Sequence, residues 1–263
     1  MNKKQTITSI KEAKGKEPLV MITAYDALFA KLVEPYADMI LVGDSLNMSF
    51  LGKSDTLSAT IEQMIYHTNA VCNGAKKSFV ICDMPFGTYN TKEEALQNSI
   101  KVYKETPADA VKIEGGKDKA HIIEYLTKNG IAVVGHIGLL PQNVRSEGGY
   151  RVKGKDEIEI DELIEDAKAV EKAGAFCIVI EGVKPKAAKE VTKSVKIPTI
   201  GIGAGADTDG QVLVWSDMLG FFEEFKPKFV KRYLNGAELV KDALKNFAKE
   251  VKSREFPDEK HSY

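Results

Sequence analysis

Six titratable residues stand at or near the ends of short apolar runs in this chain. Asp44, with Ser45 beside it, follows the run at 39–43, and Asp83 follows the run at 78–82. Lys112 lies within 110–113 and Glu114 directly after it, while His136 follows 131–135 and Glu181 follows 176–180. Two or three carboxylates with no cysteine among them suit a hard divalent ion such as Mg2+, which keeps several waters for a substrate to replace. A 2-oxo acid chelates such an ion through its keto oxygen and carboxylate, and the ion then polarises the carbonyl and stabilises an enolate. A further carboxylate held apart from the ion can move the proton on the adjacent carbon. A lysine supplies charge for the substrate carboxylate. The inventory fits carbon–carbon bond chemistry through an enolate, without naming the substrate.

Each residue also has a plainer reading. An aspartate opening a strand-to-helix loop often caps the next helix, and for Asp44 or Asp83 taken alone that reading stands beside the chemical one. Lys112 and Glu114 are two apart, so on a strand they point to the same side and fit a structural ion pair. His136, between glycines, fits a hydrogen-bonded core histidine. Glu181 is harder to dismiss, because an unpaired buried carboxylate is costly.

The elements that must position these groups recur along the chain. Eight short apolar runs, at 19–24, 39–43, 78–82, 110–113, 131–135, 176–180, 198–203 and 212–215, are rich in Val and Ile, as expected of parallel strands covered on both faces. Helical patterns separate them. Ile61, Met64, Ile65, Thr68 and Val71 share one face, Thr91 opens a capping-box pattern, and 158–173 and 186–194 read as helices. Strand–helix alternation on this scale predicts an α/β chain forming a (β/α)8 TIM barrel, whose active sites lie at the carboxyl ends of the strands. No composition shift marks a boundary, so 1–263 reads as a single barrel domain with a helical tail centred on 237–251. The loop 139–155 is long, rich in Gly and basic residues, and reads as a lid or binding loop. GIGAGADTDG overlaps a dinucleotide fingerprint, but Ala206 lies too close to the run at 212 for the helix that such a unit requires.

Acidic and basic residues nearly cancel, 38 against 37, which leaves no basic excess for nucleic acid and no polybasic patch for a membrane. No apolar run approaches the roughly 20 residues that span a bilayer. The opening segment MNKKQTITSIKEAKGKEPLV lacks the apolar stretch of a secretory signal. Cys72, Cys82 and Cys177 are odd in number and far apart, so they read as reduced core residues of a cytoplasmic protein.

Eleven segments, in order, resemble one family: TAYDALFAKL, LVGDSLNM, MIYHTNAV, DMPF, VKIEGG, VVGHIGLLPQ, GGYRVKGK, IEGV, IPTIGIGAG, TDGQVLV and FPDEKHS. Together they resemble ketopantoate hydroxymethyltransferases, of the barrel superfamily that includes phosphoenolpyruvate mutase and isocitrate lyase. The resemblance implies transfer of a hydroxymethyl group from 5,10-methylenetetrahydrofolate to 3-methyl-2-oxobutanoate. It implies that Asp44 and Asp83 bind Mg2+, with Glu114 completing the site directly or through water. It also implies that Asp44, Ser45, Asp83, Lys112 and His136 surround the oxo acid, that Glu181 accepts the proton, and that the protein is a cytoplasmic homo-oligomer, often a decamer. The sequence departs from the family at Asn47, where glycine is usual, at Leu140, where threonine is common, and at Lys260 in the tail. A folate-independent lyase or mutase is disfavoured by the lack of that group's cysteine-bearing loop. A non-catalytic barrel is disfavoured by the retention of all four acids.

Overall fold

The computed structural model describes residues 4–223 and 227–263, so the first three residues of the opening segment lie outside it. Eight strands, β1 (Leu19–Thr23), β2 (Met39–Val42), β3 (Phe79–Asp83), β4 (Ala110–Glu114), β5 (Val133–Gly138), β6 (Cys177–Glu181), β7 (Thr199–Ile202) and β8 (Gly210–Leu213), close into a barrel in sequence order. Each neighbouring pair is parallel, including β8 with β1. Helices α1 (Ile7–Glu12), α2 (Ala27–Val33), α3 (Leu46–Ser49), α4 (Ile61–Gly74), α5 (Lys92–Glu105), α6 (Ala120–Lys128), α7 (Glu157–Lys172) and α8 (Pro185–Ser194) complete the first compact unit, Met1–Val214.

Local chemistry accounts for the helix starts. Thr60 and Gln63 form a reciprocal capping box on α4, whose predicted face of Ile61, Met64, Ile65, Thr68 and Val71 is buried throughout. Thr91 caps α5 through the Glu94 N–H, but Glu94 returns its bond to the Asn90 N–H rather than to Thr91. The expected box is thus only half formed.

The expected eightfold alternation breaks once. Residues 203–209 join β7 to β8 without a helix, which also disposes of a dinucleotide unit there. β8 begins two residues before the predicted run, because Gly210 and Gln211 carry the pairing with β1 but no apolar signal. A Cβ at Gly210 would come within 2.5 Å of the Leu19 carbonyl oxygen, so barrel closure there needs glycine.

The barrel interior holds Met21, Met39, Leu41, Phe79, Ile81, Val134 and Val179 among others, each contributing on the order of 2 kcal/mol by burial. Ile10 of α1 packs in the same cluster. The Gln5 N–H donates to Lys77 O and Lys14 pairs with Asp209, so the first segment covers the amino ends of the strands and leaves the carboxyl ends clear. Cys72, Cys82 and Cys177 are free and buried. Among the described residues, no helix is long and apolar enough to cross a membrane.

The second compact unit, Trp215–Tyr263, contains α9 (Trp215–Met218) and α10 (Gly236–Ser253). The helix expected at 237–251 is therefore present and extends slightly at both ends. Lys260, the departure in the tail, is exposed, and its N–H donates to the Asp258 carboxylate in a short 3-10 turn.

Candidate active site

The two-residue side-chain period of a strand carries the interior face outward to the functional residues. Phe79 and Ile81 point into the barrel, and Asp83 continues their row. Ala110 leads to Lys112 and Glu114, Val134 to His136, and Cys177 and Val179 to Glu181. Register then aligns the rows: Asp83 lies opposite Lys112, and Glu114 opposite His136. Asp44 arrives differently, on the turn after β2. A Cβ at Gly43 in that turn would stand 2.8 Å from Ser45 Oγ, so a larger residue there would displace the serine hydroxyl.

The resulting contacts replace the simpler readings. Lys112 Nζ pairs with Asp83 Oδ1 at 2.8 Å and lies 3.3 Å from His136 Nδ1, so its ion pair runs across strands rather than along β4 to Glu114. His136 is a buried, bonded histidine, yet its partners are the acids: Nδ1 is 3.5 Å from Glu114 Oε1 and Nε2 is 3.2 Å from Glu181 Oε2. Asp44 does not cap α3, which has no side-chain cap, and its N–H donates to Asp83 Oδ2 at 3.1 Å. Asp26, at the end of the first run, is an ordinary cap, accepting the Phe29 N–H at 2.8 Å. Ser45 Oγ shares a 2.7 Å hydrogen bond with the hydroxyl of buried Tyr25.

Burial and mutual charge tune these groups. Burial, reinforced by Asp83 and Glu114, pushes the Asp44 carboxyl well above the usual carboxylate range. Asp83 is also raised by burial, with Lys112 pulling the other way. Burial opposes charge on Lys112, but Asp83, Glu114 and Asp44 overcome it and raise the ammonium's pKa. Burial and Lys112 likewise oppose protonation of His136, yet Glu114 and Glu181 outweigh both and lift it to about 9. Glu114 is held down despite its burial, chiefly by His136. Glu181, with its side chain 20% exposed against 4% for Asp83 and Glu114, is the acid of the group open to a substrate.

Four acids meet one lysine and one histidine here, and a divalent ion would offset the burial and mutual repulsion that raise Asp44 and Asp83. Among the described residues, no three His, Cys, Asp or Glu side chains converge as a complete ligand set. Asp44 and Asp83, joined by the Asp44 N–H to Asp83 Oδ2 bond, offer two carboxylates that an ion such as Mg2+ would take together with waters. Glu114 is already engaged, by His136 and by the Gln142 N–H at 3.0 Å.

Gln142, Tyr89 and Tyr25 join the site without having been singled out in the sequence. Gln142 belongs to the loop 139–155, where a short 3-10 turn (Pro141–Asn143) carries it down onto the acids and buries it. The same loop is clasped to the segment after α3 by Arg145, 2.9 Å from Asp55. Asn47, the departure from glycine, supports that segment: its Nδ2 donates to Ser58 Oγ at 2.8 Å and to Asp55 O at 3.3 Å. A cavity of about 410 Å3, lined by Leu57, Phe86, Gln142 and Arg145 among others, opens beside the loop.

A cluster of acids, a lysine and a histidine at the carboxyl ends of a closed parallel barrel has the make-up and the place of a (β/α)8 barrel enzyme's active site, suited to proton transfer and charge stabilisation. The sequence matches the ketopantoate hydroxymethyltransferase family model over residues 4–259. The chain belongs to the ketopantoate hydroxymethyltransferase family. It is 72% identical, over the full length of both chains, to 3-methyl-2-oxobutanoate hydroxymethyltransferase of Sulfurimonas denitrificans. The enzyme of the same name from Helicobacter pylori strain P12 is 56% identical over 99% of this chain and 97% of its own. Among solved structures, 2,3-dimethylmalate lyase, a PEP mutase/isocitrate lyase superfamily member, superposes with a TM-score of 0.61 at 15% identity, covering 97% of this chain and 91% of its own. Phosphonopyruvate hydrolase in complex with oxalate and Mg++ gives 0.63 at 13% identity, covering 98% and 93%. These two likenesses concern the fold.

Proposed function

We propose that this enzyme transfers a hydroxymethyl group, formed from the methylene of 5,10-methylenetetrahydrofolate and water, to C3 of 3-methyl-2-oxobutanoate. The products are 2-dehydropantoate (ketopantoate) and tetrahydrofolate, in the first step towards pantothenate. The observation that carries this reading is the convergence of Asp44, Asp83, Lys112, Glu114, His136 and Glu181 in a full-length member of the family. Asp44 and Asp83 would hold Mg2+, with Glu114 behind them. Bound there, Mg2+ supplies the charge that polarises the keto oxygen and stabilises the enolate. Lys112 and the Ser45 hydroxyl bind the oxo acid, with the Tyr25 hydroxyl hydrogen-bonded to Ser45 Oγ. Glu181 takes the C3 proton, and His136 at 3.2 Å holds the carboxylate in place and balances its charge. We place the enzyme in the cytoplasm, where its three free thiols stay reduced.

Incubation with both substrates and Mg2+ should give ketopantoate by mass spectrometry, with turnover stopped by EDTA and restored by added Mg2+. Absence of product, or turnover indifferent to EDTA, would overturn the reading. The homo-oligomer, a decamer by family likeness, is supported by α10, where Val240, Leu244, Phe247 and Val251 form one apolar face and each is at least 45% exposed. Light scattering should give a mass several times 28.9 kDa, and a monomer would refute the assembly.

A further inference from the structure

Gln142 makes four hydrogen bonds that no local pattern explains. Its N–H donates to Glu114 Oε2 at 3.0 Å, and its side-chain Nε2 donates to Asp44 Oδ2 at 2.8 Å and to Met84 O at 3.0 Å. The Tyr89 hydroxyl donates to its Oε1. Both amide hydrogens and the amide oxygen are used, and Tyr89 fixes which end of the amide faces Asp44. One loop residue thus touches the segments that follow β2 and β3 as well as the end of β4. Its grip on Asp44 Oδ2 holds the carboxylate in one orientation and leaves Oδ1 outside the contact. A carboxylate free to rotate would have to be ordered at each binding event, whereas one held by an outer amide is ready for the ion.

We infer that Gln142 is a positioning residue for the metal site, orienting Asp44 so that the loop 139–155 and the Mg2+ affinity of the cluster are coupled through one amide. The inference rests on the Mg2+ reading above. A purely structural plug would order the loop without altering metal affinity, so affinity is the quantity that separates the two.

The test is calorimetric titration of Mg2+ into metal-free wild-type protein, Gln142→Met and Tyr89→Phe, with circular dichroism confirming the fold of each. Gln142→Met matches the side chain in length but cannot donate, and its Mg2+ dissociation constant should rise roughly ten- to a hundred-fold. Tyr89→Phe keeps Gln142 but frees its amide to flip, and should lose affinity in the same direction by a smaller factor. It decides the matter alone if Gln142→Met does not fold. Wild-type or tighter affinity in the folded variants overturns the inference and leaves the Mg2+ reading intact. A wild-type protein that binds no Mg2+ overturns the Mg2+ reading, and the inference with it.

Discussion

Glu181→Gln should lose roughly 10²- to 10⁴-fold in kcat, the usual contribution of a positioned general base. Glutamine keeps the shape and the approach to His136, but it cannot take a proton. The Lys112–Asp83 pair and the Asp44 turn do not involve this side chain, so binding of Mg2+ and oxo acid, followed by calorimetry, should stay at wild-type levels. A more direct readout needs no folate. In D2O the wild-type enzyme should exchange the C3 proton of 3-methyl-2-oxobutanoate, followed by NMR, and the variant should not. Exchange at the wild-type rate would remove Glu181 from the role of base. The choice of this acid over the other three rests on its exposure, since Asp44, Asp83 and Glu114 are buried and committed to one another, to Lys112 or to Gln142.

Lys112→Met should cost about 3–5 kcal/mol of stability in metal-free buffer at pH 8, the range for breaking one side of a buried ion pair. In a chain of this size that corresponds to a fall in unfolding temperature on the order of 10 °C. Methionine fills the space of the lysine stem, so the loss is electrostatic: it leaves Asp83 facing Asp44 and Glu114 without their shared cation. The sign of the pH dependence follows. Asp44 and Asp83 have folded-state pKa values raised above their ordinary ones, so the stability linked to their protonated forms is present in acid and lost as pH rises through the raised values. Without Lys112 to pull it down, Asp83 climbs further. The deficit of the variant should therefore shrink as pH falls and Asp83 takes a proton, and grow towards pH 8. Thermal unfolding across that range checks it, and equal stability at pH 8 would show that the pair is not needed to hold the cluster.

Residue type and spacing reached far into this site but not to its wiring. Asp26 and Asp44 show the limit well: both follow an apolar run and both precede a helix, yet Asp26 is a cap and Asp44 accepts from Gln142. Lys112 and Glu114 share one side of β4, as their spacing predicts, but their partners are Asp83 and His136 on the strands either side. The loop 139–155 stood out by length and composition. Nothing in it distinguished Gln142 from Asn143, because the choice depends on where the 3-10 turn lands above the acids.

What the sequence by itself determined is the set of strands and which groups stand at their ends, since apolar runs and a two-residue side-chain period are local properties that survive without knowledge of neighbours. It also carried the family likeness, through eleven ordered segments. Only the tertiary structure decided who meets whom: the register that sets Asp83 against Lys112 and Glu114 against His136, and the contact between Gln142 and Asp44 across 98 residues. Those depend on how strands align around a closed barrel and where a loop descends, and neither quantity is written in any local pattern of the chain.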